Sequence, residues 1–144
     1  MEEKNLQLQL EREMREAMKQ RHEVLLSTLR MLRAAISNCI IEKRGRMAKA
    51  GTGAIAELSN EEVIAVIRSE AKKRKDAITE FTRGNRLEAA NKEATELAIL
   101  EKYLPQELSD EEIEKLVQPL AAGRALTDFG AVMGAAMKIV AGRA

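Results

Sequence analysis

Aromatic residues are almost absent from this sequence of 144 residues: Phe81, Tyr103 and Phe129 are the only ones, and tryptophan is missing. Proteins that bind single-stranded nucleic acid by base stacking need several aromatic side chains on one surface, so this class is excluded. The single cysteine, Cys39, excludes a disulfide scaffold and a thiolate zinc site. Two prolines and eight glycines are too few for an all-β protein with many tight turns.

Long apolar runs are missing as well. No uninterrupted run approaches the roughly 20 apolar residues that cross a bilayer. The start Met-Glu-Glu-Lys also lacks the apolar centre of a signal peptide. We therefore expect a soluble, cytoplasmic protein without a membrane partner.

Charge is distributed unevenly along the chain. Residues 1–75 contain 16 Lys and Arg against 11 Asp and Glu, whereas residues 76–144 contain 8 against 12. This polarity is compatible with docking of one end on a polyanion. The net charge of only +1 nevertheless falls short of the strongly basic composition that is typical of nucleic-acid-binding proteins. Composition alone leaves the kind of partner open.

Helical periodicity extends through almost the whole sequence, because apolar residues recur at intervals of three and four. We predict helices at about 5–20, from the polar break at 20–22 to about 44, at 60–83, 87–103 and 110–119, and from about 128 onward. The short break between the first two helices favours an antiparallel helical hairpin. The strongest apolar stripe consists of Leu25, Leu29, Leu32, Ile36, Cys39 and Ile40. The predicted fold class is all-α and multihelical.

Several residues predict where helices begin and end. In Ser59-Asn60-Glu61-Glu62 and Ser109-Asp110-Glu111-Glu112, the serine and the last glutamate can form a capping box. We expect Gly84 to end the third helix in the left-handed conformation. Pro105 is expected to stop the fourth helix, and Pro119 to end or kink the fifth. The glycine-containing stretch 45–58 predicts a mobile loop.

No catalytic apparatus is recognisable in the sequence. His22 stands alone between charged residues in a predicted turn, and Cys39 lies on the apolar stripe, where burial makes a thiol inert. No phosphate-binding glycine loop, zinc motif or nucleophile elbow is present. The acidic residues at 110–114 match the preference of a helix N-terminus for negative charge. We predict no catalytic residue, no metal and no cofactor.

The segment that most suggests a ligand is the basic run Arg68, Lys72, Lys73, Arg74 and Lys75. On a helix, Arg68, Lys72 and Lys75 project to one side, where they could contact phosphates. Alternatively, this side of the helix only faces water and binds no phosphate. Glu70–Arg74 and Lys72–Asp76 then pair at i,i+4 and neutralise part of the charge. Spacing alone favours this alternative.

The last predicted helix offers a second candidate surface. Gly130 and Gly134 are four residues apart and would allow another helix to approach closely, most simply within the fold. Met133 and Met137 lie one turn apart, and methionine adapts to varied partners. Docking of a protein partner competes here with the favoured alternative, in which both methionines belong to the core.

These features follow one another in an order that is familiar. Lys72-Lys73-Arg74-Lys75-Asp76-Ala77-Ile78 is followed by Gly84-Asn85-Arg86, by the run from Tyr103-Leu104-Pro105 to the second capping box, by Gly130-Ala131-Val132-Met133-Gly134, and by Gly142-Arg143-Ala144. The chain resembles the YqeY family, small bacterial proteins of the GatB/YqeY type, from its first helix to its last residue. We expect the motif residues to be mainly structural; they are Gly84, Tyr103, Leu104, Pro105, Ser109, Gly130, Gly134, Gly142 and Arg143.

The resemblance implies two small all-α subdomains, residues 1–90 and 91–144. The family pattern usually continues with a further helix, so we expect the second subdomain to lack its final one. The resemblance also implies kinship with the C-terminal tail of the B subunit of the glutamine-dependent tRNA amidotransferase. That tail helps to hold tRNA, whereas the carbon–nitrogen ligase chemistry, with glutamine as amido-N donor, belongs to other domains and subunits.

We therefore expect a non-catalytic helical module that binds tRNA or assists an aminoacyl-tRNA-related enzyme. The residues expected to contact phosphates are Lys72, Lys73, Lys75, Arg83 and Arg86. One alternative is a protein-interaction module with no nucleic-acid role. Another is amidotransferase activity, which would require partner subunits.

Overall fold

The computed structural model describes residues 5–53, 55–106, 108–121, 133–134 and 137–138. Within these residues it contains five long helices and no strand, which confirms the all-α, multihelical prediction. The helices are α1 (Leu6–Lys19), α2 (Glu23–Lys49), α3 (Asn60–Arg83), α4 (Leu87–Glu101) and α5 (Asp110–Ala121). Helices α1–α4 belong to a first compact unit, Met1–Leu104, and α5 belongs to a second, Pro105–Ala144.

The division between the two units falls after Leu104, whereas the resemblance implies a boundary near residue 90. A boundary at 90 would lie inside α4. Among the described helices, α4 packs most extensively against α3, so it stays with the first unit.

The core of the first unit is built from one apolar face of each of its helices. Since burial removes these side chains from water, each large one contributes about 1.5–3 kcal/mol to folding. The buried cluster consists of Leu10, Leu29, Leu32, Ile36, Val63, Ile67, Ala71 and Leu100. Cys39 is only half-buried, because it lines an open groove between α2 and α3. The prediction that this thiol belongs to the core is therefore wrong.

Helix α2 carries the longest apolar face of the described chain. By length and composition alone it could cross a membrane. No uninterrupted apolar run of this length marks α2 in the sequence, because the helix mixes apolar residues with a few charged ones. Its residues Leu29, Leu32 and Ile36 pack in the core of the first unit, and 22% of its most apolar stretch is buried.

The connection between α2 and α3 is shorter than the sequence predicts. Helix α2 continues to Lys49, so residues 45–49 are helical and not part of the loop. Gly45 is tolerated inside this helix, where glycine costs only about 1 kcal/mol relative to alanine. Chain reversal begins at Gly51, which has a left-handed φ of 73°.

Two other helix ends differ from the prediction. Asn85, with a φ of 57°, is the left-handed residue after α3, whereas Gly84 has a φ of −81°. Asparagine accepts this conformation because its short polar side chain bonds locally. Helix α5 continues past position 119 to Ala121, so proline does not end it there.

Both predicted capping boxes are confirmed. The Ser59 hydroxyl accepts a bond from the Glu62 amide at 3.2 Å, and the Glu62 carboxylate accepts one from the Ser59 amide at 2.8 Å. Lys43 of α2 donates to the same carboxylate at 2.9 Å. At α5, the Ser109 amide donates to the Glu112 carboxylate at 2.9 Å, and the Glu112 amide returns a bond to the Ser109 hydroxyl at 3.3 Å.

We expect Glu62→Gln to destabilise the protein at neutral pH but not in acid. The bonds from Lys43 and Ser59 hold the pKa of the Glu62 carboxyl below its ordinary value of 4.5. The stability that the Glu62 carboxylate gives to the folded protein is therefore complete above its unfolded-state pKa. This contribution is lost as the pH falls through its folded-state pKa. Urea unfolding at pH 7 and pH 3 measures this: the difference between wild type and variant should shrink toward zero at pH 3.

The matched control for this prediction is Glu61→Gln, which removes an exposed carboxylate from the same helical turn. An unfolding difference for Glu62→Gln that is equal at both pH values would show that its carboxylate charge is not what stabilises the connection.

Tyr103, just after α4, connects the end of the first unit to its beginning. Its hydroxyl donates a hydrogen bond to the Glu13 carboxylate of α1. Burial, together with this neighbouring carboxylate, raises the pKa of the Tyr103 phenol well above its ordinary value. The phenol therefore stays protonated and keeps its donor.

Candidate nucleic-acid interface

The basic run predicted to contact phosphates lies in the second half of α3. This helix buries Ile67, Ala71 and Arg74 against the core, and this orientation leaves Lys72, Lys73 and Lys75 exposed. The three lysines therefore present their charges to solvent.

The ion pairs of these lysines are absent or weak. Lys72 has no ion pair among the described residues; its expected pair with Asp76 does not form. Lys73 contacts Glu70 at 2.8 Å but remains 67% exposed. Lys75 lies 3.9 Å from Glu101, and both side chains are about half exposed. Because exposed ion pairs contribute only about 0–1 kcal/mol, a phosphate group can compete for Lys75, and Lys72 is open to one; Lys73, by contrast, is paired with a largely buried carboxylate.

The two arginines that were predicted to contact phosphates, Arg83 and Arg86, lie at the end of α3 and just after it. Arg83 ends α3 and pairs with Glu80 at 2.9 Å, with both side chains well exposed. The guanidinium of Arg86, in the following turn, lies 5.3 Å from the centre of the Phe81 ring. Lys72 and Arg83 are separated by roughly 16 Å along the helix axis, and Lys73 projects about 100° away from Lys72, so the predicted residues are spread over the exposed part of α3 and do not form a single cluster.

We call these exposed cations together the α3 cation surface; its residues are Lys72, Lys73, Lys75, Arg83 and Arg86. All five are exposed, which is the property that phosphate contact requires. Asp76 and Glu80 are exposed on the same helix and reduce its net positive charge.

Arg74 also belongs to the basic run of α3, but its side chain is buried and unavailable to a ligand. It is 5% exposed, and its Nη1 atom donates to Glu70 at 2.9 Å, as the i,i+4 spacing predicts. Its Nε atom lies 3.4 Å from Glu96 of α4, an ion-pair contact without hydrogen-bond geometry. Glu70 and Glu96 are 8% and 5% exposed. These three residues form a buried ion cluster that joins α3 to α4.

Glu96 could not be recognised from the sequence, since no local pattern marks a partner 22 positions away on another helix. Helical spacing predicts Arg68 on the exposed side of α3 with Lys72 and Lys75, whereas the structure half-buries Arg68. A helical wheel gives the direction of a side chain but not how much neighbouring elements cover it.

His22 is exposed at the start of α2 and makes no capping bond with its side chain. No group of three or more His, Cys, Asp or Glu side chains within the described ranges is placed to hold a metal ion.

Only part of the predicted C-terminal surface lies within the described residues. Gly130, Gly142 and Arg143 lie outside them. A Cβ atom at Gly134 would meet nothing within 4 Å among the described atoms, so no close helix approach is found there. Met133 and Met137 are 44% and 61% exposed, so the expectation that they are core residues is wrong.

Two comparisons place the chain among known proteins. The sequence profile of the Yqey-like protein family matches residues 7–144. An uncharacterized protein of the fission yeast Schizosaccharomyces pombe is 29% identical over 106 residues, which cover 74% of this chain and 77% of the yeast protein. Neither description assigns an activity.

Proposed function

Since the chain belongs to the family of YqeY-like proteins, we propose that it is a cytoplasmic, non-catalytic helical module that binds tRNA or assists a tRNA-linked enzyme. The observation that carries this proposal is the α3 cation surface, whose five cations are exposed; of these, Lys73 alone is paired with a buried carboxylate among the described residues. Any carbon–nitrogen ligase chemistry would belong to the partner enzyme.

The α3 cation surface suits a phosphate backbone better than bases. Lysine and arginine neutralise phosphates and release their condensed counterions, which gives affinity without reading sequence. Base stacking contributes little, since Phe81, the aromatic ring at this surface, is half-buried under Arg86. We therefore expect recognition to depend on the arrangement of phosphates in a folded RNA.

Fluorescence anisotropy with labelled tRNA, measured between about 50 and 200 mM salt, tests this proposal. With five phosphate contacts, the logarithm of the affinity should fall with the logarithm of the salt concentration with a slope of roughly −3.5 to −4.5. Unlabelled tRNA should compete better than an unrelated DNA duplex of equal phosphate concentration. Absence of binding at the lowest salt concentration would refute the proposal.

The exposure of Met133 and Met137 supports a second candidate function, a module that docks a protein partner. Two exposed methionines one helical turn apart form an adaptable apolar surface. This candidate needs no nucleic acid, so failure of tRNA binding would favour it.

A further inference from the structure

The side of α2 that faces away from the core is exposed, and its centre is uncharged. The core residues Leu29, Leu32 and Ile36 lie on the opposite side of this helix. The exposed residues closest to the outward direction are Ser27, Met31, Ala34, Asn38, Ile41 and Gly45. Met31 and Ile41 are 47% and 62% exposed. In a chain of which 33% is charged, an exposed strip of this length without charge indicates a surface that another molecule covers.

Four charged residues border this outward side of α2. Glu23 and Lys49 lie at its two ends, and Arg30 and Glu42 lie along its edges. All four are exposed, and none of them forms an ion pair within the described part of the chain. Their positions are symmetric about residue 36, because the first two are each 13 residues from it and the other two are each 6 residues from it. Each symmetric pair consists of one acid and one base.

This charge pattern is complementary to itself when the helix is reversed. We propose that a second copy of this chain binds here, with its α2 antiparallel to the first and crossing it at position 36. Glu23 of each copy then lies opposite Lys49 of the other. In the same way Arg30 lies opposite Glu42, so the dimer contains four ion pairs between the copies. A parallel arrangement would place each charge opposite its own counterpart, where like charges repel.

The uncharged residues also meet in this register. Between the two copies the opposing pairs are Ser27 with Gly45, Met31 with Ile41, and Ala34 with Asn38. The small side chains near the crossing point let the two helices approach closely, since the distance between packed helices depends on the side chains at the contact. The flexible Met31 side chain can then fit its shape to Ile41.

The size of this contact predicts a weak dimer. Helix α2 has 27 residues and is therefore about 40 Å long, and a helix is about 10 Å wide. Each copy thus buries about 400 Å², whereas a stable protein complex buries about 800 Å² per partner. We expect a Kd of about 10–100 μM. Since the ion pairs are exposed, the dimer should dissociate further at high salt.

Sedimentation equilibrium of the full-length protein without RNA, from about 1 to 500 μM, tests the dimer. Wild type should change from monomer to dimer across this range, and a monomer at every concentration would overturn the proposal. Arg30→Glu and Glu42→Arg each create two pairs of like charges between the copies, so each should raise the Kd about tenfold or more. The matched control is Arg12→Glu, which makes the same charge change at an exposed position of α1 and should leave the Kd within about twofold.

Exchange of the two charges tests the register of the helices. The double variant Arg30→Glu with Glu42→Arg restores opposite charges, so its Kd should lie within about threefold of wild type. An equimolar mixture of the two single variants should also dimerise, because each supplies the charges that complement the other. Both residues are exposed, so circular dichroism should show unchanged helix content in every variant. A dimer that neither single variant weakens, or a double variant as weak as the single ones, would overturn the proposal.

Discussion

Replacing Arg74 by alanine should lower the free energy of unfolding by about 3–5 kcal/mol, as breaking a buried ion pair typically does. The variant leaves Glu70 and Glu96, which are 8% and 5% exposed, without the guanidinium between them. Glu96 would then be left without a cation, and Glu70 would keep only the exposed Lys73. Since small proteins have about 5–15 kcal/mol of stability in total, this single change should bring the protein close to unfolding. Urea unfolding followed by circular dichroism measures the effect.

Lys73→Ala is the matched control, because Lys73 contacts the same Glu70 but is 67% exposed. It should cost less than about 1 kcal/mol. Arg74→Met combined with Glu70→Gln and Glu96→Gln removes all three charges and should recover much of the loss, since no unpaired ion remains. If Arg74→Ala costs no more than Lys73→Ala, the buried ion cluster does not hold α3 and α4 together.

Charge reversal at Lys72, Lys73 and Lys75 should weaken tRNA binding by about a hundredfold and make the salt slope shallower by about three units. Each substitution removes one phosphate contact and adds repulsion. The three side chains are exposed, so the variant should stay folded with little change in helix content, while its melting temperature falls because the new glutamates at 73 and 75 lie beside Glu70 and Glu101. Anisotropy across the salt series, with circular dichroism as the folding check, measures both effects.

The control for charge reversal is an equal change of net charge elsewhere in the first unit. Arg12, Lys19 and Arg21 are exposed in and just after α1, and their replacement by glutamate has the same formal effect. If both triple variants weaken binding equally, tRNA responds only to net charge, and the α3 cation surface is not the binding site.

Features with a local cause could be predicted from the sequence. Each capping box depends on a serine and a glutamate three residues apart, so Ser59 and Ser109 marked the starts of α3 and α5 correctly. The exposure of Lys72, Lys73 and Lys75 followed from the apolar face of their own helix. The i,i+4 pair of Glu70 with Arg74 was also visible from spacing.

Features that depend on packing between helices could not be predicted. Glu96 joins Arg74 only because α4 lies along α3, and Arg68 loses its water through coverage that its own helix does not reveal. The residues that end helices were also misjudged: Asn85, and not the neighbouring glycine, has the left-handed conformation. Asparagine and glycine are both able to adopt it, so local preference did not decide between them.

The bond between Tyr103 and Glu13 has a consequence for the kinetics of folding. It joins positions 90 residues apart, so the entropy of closing this long loop is lost before the contact can form, and non-local contacts of this kind slow folding. Tyr103 is the only tyrosine, and the chain has no tryptophan. The intrinsic fluorescence of the protein thus comes almost entirely from one phenol, which a bonded carboxylate quenches. A stopped-flow refolding trace would therefore report, without any label, the moment at which the two ends of the first unit meet.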